Sequence, residues 1–227
     1  AFMPEPVQLA SGYLHSAVTI LFLLLVVRDA LLLLTWPFRR STGRQRKIFY
    51  GHKEKKPASG FWAFTLVLLA LALSGYGMRE ALRVPPVREV RMQVPGLPDA
   101  LNGFRIAQLS DLHIGPTFGK AWLTDVVART DSLNPDLIVI TGDVVDGSPS
   151  RLEEDVAPLA DLKAKYGVIF APGNHEYYSG IQQWLPVFQR LGMHVLMNEN
   201  TQIRVNGTPL AIAGVTDTAA LNWGLEG

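Results

Sequence analysis

The chain has 227 residues, enough for one full domain with appendages, and no cysteine, which excludes disulfides and thiolate metal sites. Its net charge of +1 conceals a split: residues 1–87 hold 11 Lys/Arg against 4 Asp/Glu, whereas residues 88–227 hold 10 against 16. Regions of opposite sign are expected to face different surroundings.

The first elements in chain order are apolar and long. Tyr13–Trp36 reads as a membrane span interrupted by Arg28-Asp29, either a charge pair tolerated among helices, a break into two shorter segments, or a functional intramembrane pair. Phe61–Met78 holds 18 residues without a charge, about enough to cross a bilayer core. Two such segments, the first without a basic leader, argue against a cleaved signal peptide. Between them, residues 39–57 carry eight Lys/Arg against Glu54 alone. A short basic loop between spans marks the cytoplasmic side, and this reading is preferred to nucleic-acid binding. The remainder is then expected on the extracytoplasmic face of the membrane. The domain boundaries expected are 1–86 for the membrane region and 87–227 for a second domain outside the bilayer.

After Pro85-Pro86, residues 87–94 (VREVRMQV) alternate like an exposed or edge strand. Strands are predicted at Phe104–Leu109, Leu137–Thr141 and Val168–Ala171, with a fourth starting at Val195-Leu196. Helices are predicted near Lys120–Ser132, Arg151–Tyr166 (with Pro158 breaking or starting it) and Gln182–Leu191. Gln202–Val205 and Leu210–Ala213 flank Asn-Gly-Thr and read as a hairpin. Strands alternating with helices imply βαβ units and a buried sheet.

A polar cluster follows each of the first three strands: Ser110–Gly115 (SDLHIG), Gly142–Gly147 (GDVVDG) and Gly173–Glu176 (GNHE). Parallel neighbouring strands would bring all three to one edge of the sheet. Asp111 and His113 are two apart, so in extended backbone both point to one side as a partial chelate. Asp143 follows a glycine that permits a sharp turn and close approach, and its carboxylate can bridge two cations. Asn174 offers an amide oxygen. His175, adjacent to it, must point elsewhere, which suits a group touching substrate. Oxygen and imidazole donors without sulfur favour Mn, Fe or Zn. Two such ions about 3.5–4 Å apart can activate water and clamp a phosphoryl oxygen.

With these motifs the chain resembles the calcineurin-like metallophosphoesterase superfamily over roughly residues 88–227, and with its two spans it is similar to bacterial transmembrane proteins carrying such a domain. The resemblance implies an α/β fold, a β-sandwich of mixed sheets flanked by helices behind a transmembrane hairpin. It implies two divalent metal ions: Asp111 and His113 on one, Asp143 bridging, Asn174 on the second. His175 would contact the phosphoryl group and protonate the leaving group. The family takes further ligands from a downstream His and a Gly-His-x-His motif, which nothing here matches: His15, His52 and His194 fall in the first span, the basic loop and a strand start. The missing ligands are expected beyond Gly227, with the sequence a piece of a longer protein.

Other residues are read more plainly. Asp146 is assigned to a turn and Glu176 to a supporting or solvent-facing place. Tyr177, Tyr178 and Trp184 are assigned to packing before a substrate groove. Ser110 lacks a base partner, which disfavours a serine nucleophile, and Asp217, at another strand end, ranks low. The expected function is membrane-anchored, metal-dependent phosphoesterase activity on a lipid-linked or envelope substrate. Alternatives are a UDP-2,3-diacylglucosamine-type pyrophosphate hydrolase and a non-catalytic binding module with an incomplete metal site.

Overall fold

A computed structural model describes residues 5–42 and 59–224; most of the basic loop, residues 43–57, lies outside them. The chain divides into two compact units, Ala1–Leu82 and Arg83–Gly227.

The first unit is a pair of helices, α1 (Glu5–Thr42) and α2 (Ser59–Ala81). Two stretches, Leu9–Thr35 and Gly60–Ala81, are long and apolar enough to cross a membrane. Hardly any of either is buried, unlike a core helix of a soluble protein. Small and polar residues join the helices. The Tyr13 hydroxyl donates to the Leu71 carbonyl at 2.9 Å and the Ser74 hydroxyl to the Tyr13 carbonyl at 3.0 Å, beside buried Ala17 and Ala70.

Of the readings of Arg28-Asp29, the break into two segments does not occur: α1 runs unbroken through the pair, whose side chains meet at 2.7 Å. Both side chains of the pair are about half exposed. Tyr13 meets two residues of α2, Leu71 and Ser74.

The second unit is built on a parallel sheet in the order β1-β2-β3-β4, with β1 Ile106–Leu109, β2 Leu137–Thr141, β3 Val168–Ala171 and β4 Met193–Val195. In register, Leu109 pairs with Ile140, and Thr141 with Ala171. The C-terminal ends of β1, β2 and β3 thus lie side by side, as the strand pattern predicts. Helices α3 (Lys120–Asp131), α4 (Pro149–Val156) and α6 (Ile181–Arg190) supply Leu123, Val127, Leu152, Trp184 and Phe188 to a core with Ile138, Ile140 and Phe170. A separate cluster of Leu137, Ile169 and Leu196 packs against Ile212 of an antiparallel pair, β5 (Glu199–Val205) and β6 (Thr208–Gly214). The unit is α/β with two sheets. The hairpin turns at Asn206-Gly207, φ 48° and 87°, both central residues left-handed as its tight two-residue loop demands.

Several elements differ from prediction, β1 starting two residues late at Ile106 and β5 and β6 starting early at Glu199 and Thr208. Residues 87–94 form no strand: they are exposed and enter no ladder among the described residues. Alternation gives a segment two faces, but a strand also needs a hydrogen-bonding neighbour. The helix predicted over Arg151–Tyr166 ends at Val156 and passes into a 3-10 helix, Ala157–Asp161, with Pro158 at its second position. The fourth strand starts two residues early, at Met193.

Candidate metal centre

The ladder between β1 and β2 continues beyond both strands. Asp111 N–H donates to Gly142 O at 3.3 Å, His113 N–H to Asp143 O at 2.9 Å, Ile114 N–H to Val144 O at 2.8 Å and Asp146 N–H to Ile114 O at 2.9 Å. This extension holds Asp111, His113, Asp143 and Asp146 at neighbouring positions. The backbone is not extended there. Asp111, His113 and Asp143 have φ of 56°, 45° and 54°, three of the six non-glycine residues with positive φ among those described; the others are asparagines. Left-handed turns, and not the extended backbone predicted, therefore aim Asp111 and His113. Such conformations cost about 1–3 kcal/mol each and persist where the surroundings over-determine them, commonly at functional sites.

Glu176 is one such determinant. Completely buried, it accepts N–H bonds from Asp143 (2.9 Å), Val144 (2.6 Å) and Gly173 (2.8 Å). One carboxylate thus ties the loop after β2 to the loop after β3. Burial pushes its pKa up, the three amides oppose that, and the Asp143 charge adds to the rise. Two glycines allow the loops to touch. A Cβ on Gly142, whose φ is 79°, would meet the Gly173 backbone, and one on Gly173 would lie 2.8 Å from Asp143 N. A short helix, α5 (Asn174–Tyr178), begins at this contact, and the His175 N–H donates to Asp143 Oδ1 at 3.0 Å.

Donor atoms of His113, Asp143 and His175 all lie within 4.8 Å of one another. Asp111 Oδ1 is 4.0 Å from His113 Nε2. The Asn174 side-chain oxygen faces both Asp143 carboxylate oxygens at 3.3 Å; with the amide turned over, its nitrogen would donate there instead. Five predicted residues therefore converge. His175 is less separate than its adjacency to Asn174 implied: its ring lies 4.5 Å from that of His113, centroid to centroid.

Asp146, assigned to a turn from sequence, proves central. Its Oδ1 lies 3.1 Å from His113 Nδ1 and 2.6 Å from His175 Nδ1. A carboxylate there favours the Nδ1–H form of both rings and leaves each Nε2 free, the orientation a carboxylate imposes on a metal-binding histidine. For His113, burial alone would lower the pKa, but the Asp146 hydrogen bond and the charges of Asp146, Asp143 and Asp111 raise it above the usual histidine value. The three-residue step from Asp143, across buried Val144 and Val145, was the available signal for Asp146.

The donor set fits divalent cations. It combines carboxylates, imidazoles and an amide oxygen without sulfur.

The remaining candidates lie elsewhere. Tyr177 and Trp184 are fully buried in packing, and Tyr178 is exposed. Asp217 caps a 3-10 helix by accepting from Ala219 N–H at 2.7 Å. His194 is an exposed residue of β4, and His15 lies in α1. His52 is outside the described residues.

Comparison with known proteins agrees with this geometry. Residues 104–220 match the family model for calcineurin-like phosphoesterases. The chain is 36% identical over 173 residues, 74% of its length, to a zebrafish (Danio rerio) transmembrane protein with metallophosphoesterase domain, and 37% identical over 161 residues, 68% of its length, to a bovine (Bos taurus) protein of the same description. A Campylobacter jejuni protein described as an uncharacterized metallophosphoesterase is 32% identical over 162 residues, 71% of the chain. These matches span 40%, 36% and 41% of the relatives' own lengths. The family model covers just over half of the sequence, and the chain belongs to the calcineurin-like phosphoesterase family.

Proposed function

We propose that the protein is a membrane-anchored, divalent-metal-dependent phosphoesterase. The observation that carries this reading is the convergence of His113, Asp143 and His175 at the C-terminal edge of the parallel sheet, with Asp111 and Asn174 beside them. When bound, two divalent ions would supply positive charge for a phosphoryl oxygen and lower the pKa of water. Asp111 and His113 would hold one ion, Asn174 the other, and Asp143 both. Mn, Fe and Zn all suit these donors.

The chain's own groups do the rest. Glu176 fixes the backbone of Asp143, and Asp146 fixes the rings of His113 and His175. Asp146 holds His175 through Nδ1, so Nε2 is the ring atom left to face the leaving oxygen. As the oxygen of water bonds to phosphorus and gives up a proton to solvent, the bond to the leaving oxygen breaks and that oxygen takes a proton from His175 Nε2. His175 then regains its proton from solvent.

The apolar helices support membrane anchoring, and the basic stretch at residues 39–57 supports an extracytoplasmic domain; the further reading is a site on the bacterial inner membrane and a lipid-linked or envelope phosphate ester as substrate. Hydrolysis of a generic aryl phosphodiester by the full-length protein, with and without added Mn²⁺, tests the activity. No turnover in either condition would leave a binding module.

A further inference from the structure

We infer that Tyr178 forms the subsite for the leaving group, and that the enzyme favours phosphate esters whose leaving group presents a flat ring, such as an aryl or nucleoside group. This rests on the phosphoesterase reading above and adds a substrate class to it.

Two adjacent tyrosines in α5 have opposite fates. Tyr177 is 0% exposed and packs with Ile181, Ala219 and Ala220, whereas Tyr178 is 63% exposed. Tyr178 stands three residues after His175, so both lie on the same outward side of the helix. Their rings meet edge to face, with centroids 5.7 Å apart. The end of the helix is fixed: the Ser179 hydroxyl donates to Val145 O at 3.0 Å, Ser179 N–H to His175 O at 2.9 Å, and Gly180 turns the chain at φ 93°. The tyrosine is thus held as an exposed ring beside the histidine.

Its position has a chemical consequence. Asp146 occupies His175 Nδ1, so proton delivery falls to Nε2. The oxygen that receives that proton belongs to the departing group, which then sits at His175, whose ring centroid is 5.7 Å from that of Tyr178. A flat ring there gains an aromatic contact worth about 0.5–1.5 kcal/mol beyond burial, or about two- to twelvefold in affinity; a small alkyl group does not.

The test uses the Mn²⁺-loaded full-length protein and two ligands that cannot be hydrolysed, phenylphosphonate and methylphosphonate, with binding measured by calorimetry. Wild type should prefer the phenyl compound by about tenfold. Tyr178→Ala should abolish that preference, and Tyr178→Phe should keep it. An equal preference in wild type, or one that survives Tyr178→Ala, would overturn the proposal. So would a fall in melting temperature in Tyr178→Ala with the binding ratio intact, which would mark a packing residue. If wild type binds methylphosphonate and has no preference, only the subsite fails; if it binds neither ligand, the phosphoesterase reading fails as well.

Discussion

The Nδ1 atom of His175 lies 2.6 Å from Oδ1 of Asp146, a short contact joining the loops after β2 and β3. Asp146→Asn should therefore impair turnover more than folding. An amide can still accept a bond but carries no charge to stabilise a protonated ring. Removing the partner that orients a catalytic or metal-bound histidine typically costs about 10–100-fold. Steady-state kinetics should show the loss in kcat, with circular dichroism unchanged.

Glu176→Gln should weaken Mn²⁺ binding in a protein that still folds. Oε2 of Glu176 accepts from Asp143 and Gly173, and Oε1 from Val144. A glutamine has one acceptor and one donor, so at least one amide would face an N–H group. An unsatisfied buried donor costs about 1–3 kcal/mol. Because Asp143 is held at positive φ by these bonds, the cost should appear in metal affinity, read by titration of Mn²⁺ against its electron paramagnetic resonance signal.

The raised pKa of His113 fixes the sign of a pH effect. A histidine whose folded pKa lies above its unfolded value stabilises the metal-free fold fully below the unfolded value. That contribution is lost as pH rises through the folded value. Metal binding needs the neutral ring, so Mn²⁺ affinity should rise over the same window, above the usual value of about 6.5. Melting curves of metal-free wild type and His113→Gln from about pH 6 to about pH 8 should converge as pH rises. Curves that separate with rising pH would contradict the assignment.

Orientation in the membrane is testable because the sequence lacks cysteine. In intact cells, Ser148→Cys should react with a membrane-impermeant thiol reagent and Ser41→Cys should not. The reverse pattern would invert the topology inferred from the basic loop.

Much of this site was legible in the sequence because a parallel strand announces itself as a continuous apolar run, and polar residues after such runs must gather at one edge. Leu137–Thr141 and Val168–Ala171 appear as predicted for that reason. What escaped was tertiary. The spacing of Asp143 and Asp146 hints at a second carboxylate, but it does not reveal that the loop after β1 extends the ladder and sets Asp146 against two histidines. Nothing local to Glu176 reveals that three amides from two loops surround it. Residues 87–94 misled in the opposite direction, since a two-faced pattern carries no information about a partner strand.

The central claim is that Asp143 joins two metal ions in one centre, and Mn²⁺ stoichiometry in purified full-length Asp143→Asn, with aryl phosphodiester hydrolysis measured on the same preparation, tests it most directly. The amide keeps the shape of the carboxylate and loses the charge that offsets repulsion between two dications. Asp143 sits at a strand end, so circular dichroism should not change. The account predicts loss of bound Mn²⁺ together with loss of hydrolysis. Wild-type metal content with full activity in this variant would contradict it.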